Sequence, residues 1–445
     1  MKNSLVVFVF FCMANIFAQN YYMATPQGFG ANATGGGNAT PVTVTNFTQL
    51  KAALPSTSTN KVILISGTID CSYWSVLMTN VSIIGLPGAR LRNLQITVGN
   101  STASAAASGM LYIKPGSNNV IIRNIIFEGP GAYDVDGRDN LTNEGTNVWV
   151  DHCEFQDGMD GNFDNKGMCD NTTISWCKFT YLKPAIPGGS GGSNDHRFSN
   201  LVGSSATDFP ADGHYSLTFQ NCYWASGCKE RMPRARNAEL HLLNCYYYAN
   251  VTSSKSIGLG GGNNNTTCYV EKCNFANIST VYGSYISTDG GTVAINFSNC
   301  LNGVANIGTV NPPIYSTTPM PVTDVANYIT DSTCGAGATL QVSASGVIAP
   351  NDCAFLGINT NPKSTISVFA SVKKDYLYID FSNTQTSTID VDIFSINGQK
   401  VSTYLNKNTN SSNLLELSLE DLSSGIYLGI VKYNDQISNF KFIKN

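Results

Sequence analysis

The chain has 445 residues, a formal net charge of -4, and 13% charged against 42% hydrophobic residues. Gly, Asn, Ser and Thr are abundant while Lys, Glu and Leu are sparse, which argues against a helical enzyme and for many strands with frequent turns. The length allows a large core and more than one domain, and no nucleic-acid partner is expected.

Lys2 precedes an apolar run from Leu5 to Phe11, and Ile16-Phe17-Ala18 stands before Gln19. This reads as a secretory signal over residues 1–18, cleaved after Ala18. No later stretch is apolar enough to span a bilayer. Cleavage removes Cys12 and leaves twelve cysteines in an oxidising compartment, with any disulfide pairing left open. Further on, Asn46 caps a predicted short helix that places Phe47, Leu50 and Leu54 on one face and ends at Pro55.

Six segments then share one pattern: WVDHCEF (149–155), TISWCKF (173–179), TFQNCYW (218–224), HLLNCYY (241–247), YVEKCNF (269–275) and NFSNCLN (296–302). Each has an apolar residue three before the cysteine, and the first five place an aromatic residue two after it. Asn precedes Cys222, Cys245 and Cys300; Asn tolerates a left-handed bend, so each unit reads as strand, one-residue corner, strand. The cysteines recur at intervals of 24, 45, 23, 28 and 27 residues. A period in the twenties marks one coil of a solenoid that buries its interior by stacking on its neighbours. The pattern therefore predicts an all-β parallel β-helix, its open N-terminal end plugged by the Asn46 helix. Six cysteines at one register suggest an internal ladder more than a metal site, because neither CxxC spacing nor paired His accompanies them. Buried thiols and occasional disulfide rungs both fit such a ladder.

The 45-residue interval holds one coil and an excursion that contains PGGSGGSND (187–195), a loop expected to stand over whatever the flanking strands present. After it comes KERMPRAR (229–236), with four basic side chains and one acidic. Guanidinium forks so concentrated suit carboxylate or phosphate, although a basic cluster alone also fits a solvated turn. From about Pro362 Gly becomes scarce and Cys vanishes, and alternation in VDIFSING (390–397) and GIYLGIVKYN (425–434) predicts an antiparallel sandwich.

The coils from Gly28 to about Cys353 resemble polysaccharide lyase family 1, the pectate lyases. The resemblance is carried by NVWVDHCEF (147–155), by DGNFD followed by TTISWCKF, by Lys183 five residues before Gly188, and by RMPRAR (231–236). It implies a right-handed parallel β-helix over 19–360 that binds calcium through Asp160 and Asp164, the latter eleven residues before Ser175. A third ligand is expected from the preceding coil, Asp139 first and Asp136 second, because calcium takes several oxygens. The spacing there departs from the family pattern by about one residue relative to Trp149. By resemblance Arg231 is the base, and Lys183 and Arg236, with Arg234, hold substrate carboxylates. Ala238 stands where the family has Gly, which bears on the shape of the groove. The tail, 363–445, resembles the type A sorting domain of the type IX secretion system of Bacteroidota through FSINGQKV and LSSGIYLGIVKYN, which implies export and engagement of the secretion machinery. A monomer is expected.

The residues independently suit elimination of a 4-linked uronate. Removing the C5 proton and expelling the C4 oxygen builds negative charge on the neighbouring carboxylate, so a cation and basic side chains around it stabilise the transition state more than the ground state. Arginine is ordinarily a permanent cation, and it serves as a base only where dense positive charge disfavours its protonated form; the alternative is that Arg231 positions a hydroxide or polarises the carboxylate. The expected substrate is polygalacturonate. A different uronate polymer, methyl-esterified pectin and a non-catalytic polysaccharide binder remain open at this point. A hydrolase using two of Asp157, Asp160 and Asp164 gives no reason for the Lys183, Arg231 and Arg236 set. Asp157 is expected to cap a turn, and His152 and His241, which sit in the repeated units, are expected to be structural.

Overall fold

The computed structural model describes residues 21–93, 108–350, 368–381, 389–395, 399–409, 414–433 and 436–444. The predicted signal (1–18) and the junction near Pro362 lie outside these residues. The chain divides into two compact units, Met1–Ala354 and Phe355–Asn445.

The first unit is a parallel β-helix. Three short strands make a typical coil, such as Leu141–Asn143, Thr146–Asp151 and Glu154–Gln156, followed in the next by Phe163–Asn165, Asp170–Ser175 and Lys178–Thr180. The apolar residue three before each ladder cysteine falls in one register, Val150 on Ile174, then Phe219, Leu242, Val270 and Phe297. The corner between strands is left-handed at every unit, with φ of 46° at His152, 50° at Trp176, 57° at Asn221, 52° at Asn244, 48° at Lys272 and 52° at Asn299. Asn is favoured there because its amide can also secure the bend. Asn244 accepts from the Met320 backbone N–H at 2.8 Å and donates to the Met320 carbonyl at 2.9 Å. At His152, Trp176 and Lys272 the stacking of coils imposes the same conformation on residues that do not prefer it.

The aromatic residues two after the first five ladder cysteines build an internal stack that Phe127 of the preceding coil begins. Phe127, Phe155, Phe179, Trp224, Tyr247 and Phe275 follow one another with ring centroids 4.9, 5.3, 5.5, 4.7 and 4.5 Å apart. The six ladder cysteines are free thiols, and from Cys177 onward each sulfur faces a carbonyl of the preceding coil, as Cys222 does with Ile174 at 3.4 Å. Cys334, outside the ladder, is disulfide-bonded. At the N-terminal end the helix Phe47–Ala53 is capped by Asn46, whose side chain accepts from the Gln49 N–H at 3.0 Å. Leu50 and Leu54 are buried in the solenoid core and Phe47 packs edge-on against Trp74.

The second unit has two antiparallel sheets. Val368–Lys373, Tyr376–Phe381 and Leu414–Ser418 form one; Lys400–Lys407, Ile389–Ser395, Gly425–Tyr433 and Gln436–Lys444 form the other. Alternate residues, including Leu377, Ile379, Val391, Ile393, Leu415, Leu417 and Val431, make its core.

Candidate active site

One sheet of the solenoid runs through Leu141–Asn143, Phe163–Asn165, Leu201–Val202 and Arg234–Ala235, with Asp164 beside Thr142, Asn165 beside Val202 and Leu201 beside Arg234. Over it lies an open cleft of about 600 Å³ whose lining includes Asp134, Asp136, Asp160, Asp164, Lys166, His196 and Arg231. Asp164 points from its strand into this cleft and accepts the Leu201 N–H at 2.9 Å. Asp139, one coil earlier and buried, accepts from the Thr142 hydroxyl at 2.8 Å. Gly161 separates them: a methyl group there would lie 2.9 Å from Asp139 Oδ1 and 3.0 Å from Asp164 Oδ1. Burial and the Asp160 charge raise the pKa of Asp139, and burial and Asp139 raise that of Asp164 well above the usual carboxylate range. Burial disfavours the Lys166 ammonium, but Asp139, Asp164 and Glu144 outweigh it and hold its pKa above normal.

Arg231 enters from the next coils. Its backbone is left-handed, φ 60°, in a bulky residue that rarely adopts it, and its carbonyl accepts the Asn200 N–H at 2.7 Å. The guanidinium lies 4.6 Å over the Phe198 ring and forms no ion pair among the described residues. The excursion after Lys183 folds back on the cleft. Gly191 donates to the Asp134 carbonyl at 2.8 Å and Ser193 N–H to its carboxylate at 2.7 Å; a side chain at Gly191 would collide with that carboxylate at 2.1 Å, so glycine is required for the approach. His196, at the foot of the same loop, lies with Nε2 2.9 Å from Asp160 and Nδ1 3.3 Å from Asp134.

The other predicted residues sit apart from the cleft lining. Lys183 donates to the Gly129 carbonyl at 2.8 Å, with Glu128 at 3.8 Å and Asp157 at 4.0 Å. Asp157 caps the turn, accepting the N–H groups of Leu182 and Lys183 at 2.7 and 2.9 Å. Arg234 and Arg236 converge on Asp289 at 2.8 and 3.2 Å. Arg236 is 6% exposed and also donates to the Gly203 carbonyl at 2.5 Å; burial and the Arg234 charge lower its pKa against the opposing pull of Asp289. Its guanidinium is thus committed to the protein and does not face the cleft as a free carboxylate clamp. His152 bonds Asp151 at 2.8 Å and stacks on Trp176, and His241 bonds the Tyr315 hydroxyl at 2.9 Å.

Residues 5–339 match the family model described as pectate lyase, and 371–445 match the secretion system C-terminal sorting domain. The chain belongs to the pectate lyase family. Among curated relatives of this pectate lyase family member, the pectate trisaccharide-lyase of Thermotoga maritima is 34% identical over 42% of the chain and 45% of its own length. The pectate lyase A of Dickeya chrysanthemi is 27% identical over 69% of the chain and 86% of its own length. The chain spans about half the length of the first of these curated relatives. A solved structure of a pectate lyase from Bacillus sp. N165 in complex with trigalacturonate shares the fold, with a TM-score of 0.52 and 19% identity over 71% of this chain and 99% of that one.

The carboxylates of this pectate lyase family member fit a hard divalent cation. Asp139 and Asp164 each bring a carboxylate oxygen to the space beside Gly161, 2.9 and 3.0 Å from where a Cβ would stand, and burial, followed by a neighbouring carboxylate, raises the pKa of both. Asp136, the second candidate, is exposed at the rim. Asp134, Asp160 and His196 form another close group, but calcium takes oxygen rather than imidazole, so His196 is better suited to orienting Asp160. Asp134, Lys166 and His196 were not singled out in the sequence. Lys166 stands two residues after Asp164, and His196 is one of only four histidines, which is the signal that could have drawn attention to them.

Proposed function

We propose that this chain is a calcium-dependent pectate lyase that cleaves 4-linked polygalacturonate by β-elimination, leaving unsaturated oligogalacturonides. The observation that carries the reading is the meeting of Asp160 and Asp164 with an arginine, Arg231, that has no ion-pair partner among the described residues, in one open cleft. A guanidine side chain without a carboxylate partner in this cleft is suited to an acidic ligand, and it can act as a base only where bound calcium and the neighbouring basic side chains disfavour its protonated form. Calcium, when bound, supplies positive charge to the substrate carboxylate and so acidifies the neighbouring C5 proton.

The protein groups divide the remaining work. Arg231, fixed by its left-handed backbone and the Phe198 ring, stands to take the C5 proton. Lys166 holds positive charge beside Asp139 and Asp164. Arg234 and Arg236, gathered on Asp289, set cationic charge behind Arg231 rather than gripping substrate. The Asp157 cap fixes the turn that carries Lys183, whose half-exposed ammonium is the further candidate for a substrate carboxylate. The carboxylate set favours the unesterified polymer, since a neutral methyl ester gains little from a cation. The sorting-domain match supports a secreted or cell-surface enzyme whose tail engages the type IX machinery.

The test is the near-ultraviolet absorbance of the conjugated product when the full chain meets polygalacturonate, with calcium and with chelator. A calcium-dependent rise is expected. Binding of the polymer with no new double bond would make the chain a binding protein, and a rise on another uronate polymer alone would replace the substrate.

A further inference from the structure

On the side of the earlier coils the same sheet carries a second hollow, of about 240 Å³, lined by Tyr73, Tyr112, Arg138, Glu144 and Lys166, with Asp139 at the edge it shares with the carboxylate site. Lys166 lines the cleft as well, so the two hollows are neighbours on one sheet. Tyr112 lies beside Thr142 and Thr142 beside Asp164 along the ladder. From the strand Leu111–Ile113 to Arg234–Ala235 there are four strand spacings, roughly 19 Å at the usual separation of about 4.8 Å.

The hollow has the groups that recognise an acidic sugar. Tyr73 and Tyr112 are stacked, with centroids 6.4 Å apart and planes 23° apart, and Tyr112 donates its hydroxyl proton to Glu144 at 2.8 Å, which fixes its ring. The exposed Arg138 guanidinium stands 4.0 Å over Tyr73. Neither Arg138 nor Lys166 forms an ion pair among the described residues. The opposite end of the sheet differs. There Arg234 pairs with Asp289, Lys255 with Glu230, and Tyr285 bonds both Lys255 and Glu230, so those charges are already committed to the protein. Of the two ends, among the described residues, the early-coil end joins stacked tyrosines to an arginine that forms no ion pair.

We propose that Tyr73, Tyr112 and Arg138 form a remote subsite for one uronate residue of the polymer, three to five coils before the one that carries Arg231. The tyrosine rings offer an apolar face with polar tips to the sugar, and the Arg138 fork takes its carboxylate. The inference rests on reading the cleft as a polyuronate site. It makes the enzyme selective for chains long enough to span both ends of the sheet, and it places the length preference in ground-state binding, away from the reacting bond.

The experiment compares trigalacturonate with octagalacturonate at saturating calcium, using the full chain and its Arg138→Ala and Tyr73→Ala variants, by turnover and by calorimetric binding. Arg138→Ala should raise KM and Kd for the octamer on the order of tenfold, the worth of one charge-assisted hydrogen bond, while kcat and trimer turnover stay unchanged. Tyr73→Ala should show the same pattern, and Arg138→Lys should recover part of the loss. Equal losses on trimer and octamer, or no loss on either, would overturn the subsite. Tighter octamer than trimer binding that depends on Arg138, with no unsaturated product, would keep the subsite and remove the lyase reading. Product formed equally well from both lengths would keep the lyase and remove the subsite.

Discussion

Gly161→Ala tests the carboxylate set without removing any charge. The glycine backbone is not left-handed, so alanine fits the chain, but its methyl carbon would stand 2.9 Å from Asp139 Oδ1 and 3.0 Å from Asp164 Oδ1. Ordinary contact begins at 3.4 Å, so the oxygens must retreat by about 0.5 and 0.4 Å. Neither moves freely, because the Thr142 hydroxyl holds Asp139 and the Leu201 N–H holds Asp164. Losing the alignment of one charged ligand costs roughly 1.5–3 kcal/mol, so the calcium Kd should rise about tenfold to hundredfold. Calcium titration by calorimetry reads this directly, and circular dichroism reports whether the β-helix persists. A folded Gly161→Ala protein with wild-type calcium affinity would refute the assignment of Asp139 and Asp164 as joint ligands.

Other consequences can be measured alongside it. Asp139 and Asp164 have folded pKa values raised above the unfolded value of about 3.9. Without metal, therefore, stability should fall as pH rises above about 4 toward those raised values. Calcium should offset the loss, giving a larger rise in Tm at pH 8 than at pH 5, and an equal rise at both would contradict the charge argument. Phe155 is fully buried, with Phe127 at 4.9 Å and Phe179 at 5.3 Å; Phe155→Ala should cost about 3–5 kcal/mol, read as a lower unfolding midpoint. In the second unit, desolvation pushes Asp392 upward, but hydrogen bonds from Lys432, Lys400 and Thr403 bring it down to about 2. That contribution is present above the unfolded value of about 3.9 and lost as pH falls toward 2. Asp392→Asn should cost about 1 kcal/mol at neutral pH, since both lysines are half exposed, and little at pH 2.

The solenoid was legible because its period is written in side chains that must stack. The apolar, corner, cysteine and aromatic positions of each coil repeat in one order, and each meets its equivalent in the next coil. The Asn46 cap and the Asp157 turn were legible for a similar reason, since each bonds backbone groups a few positions away or in the neighbouring coil. The cleft was legible only in part. Asp160, Asp164 and Arg231 stand in short motifs, whereas Asp134 and His196 meet through a loop whose path depends on glycines approaching the Asp134 backbone. The role of Arg236 depends on Asp289, more than fifty residues later, in the short helix Ile286–Asp289. No local pattern announces that pairing, and without it a buried guanidinium looks the same as one turned to substrate.

The account turns on elimination driven from the Arg231 cleft, and its most direct measurement is product formation by purified Arg231→Ala beside the unaltered chain, on polygalacturonate with calcium. Arg231 is half-buried and has no ion pair among the described residues, so its loss should leave folding and calcium binding intact. The account predicts that absorbance of the unsaturated product rises for the unaltered chain and falls to background for the variant. A folded, calcium-binding variant that eliminates at near the normal rate would contradict it.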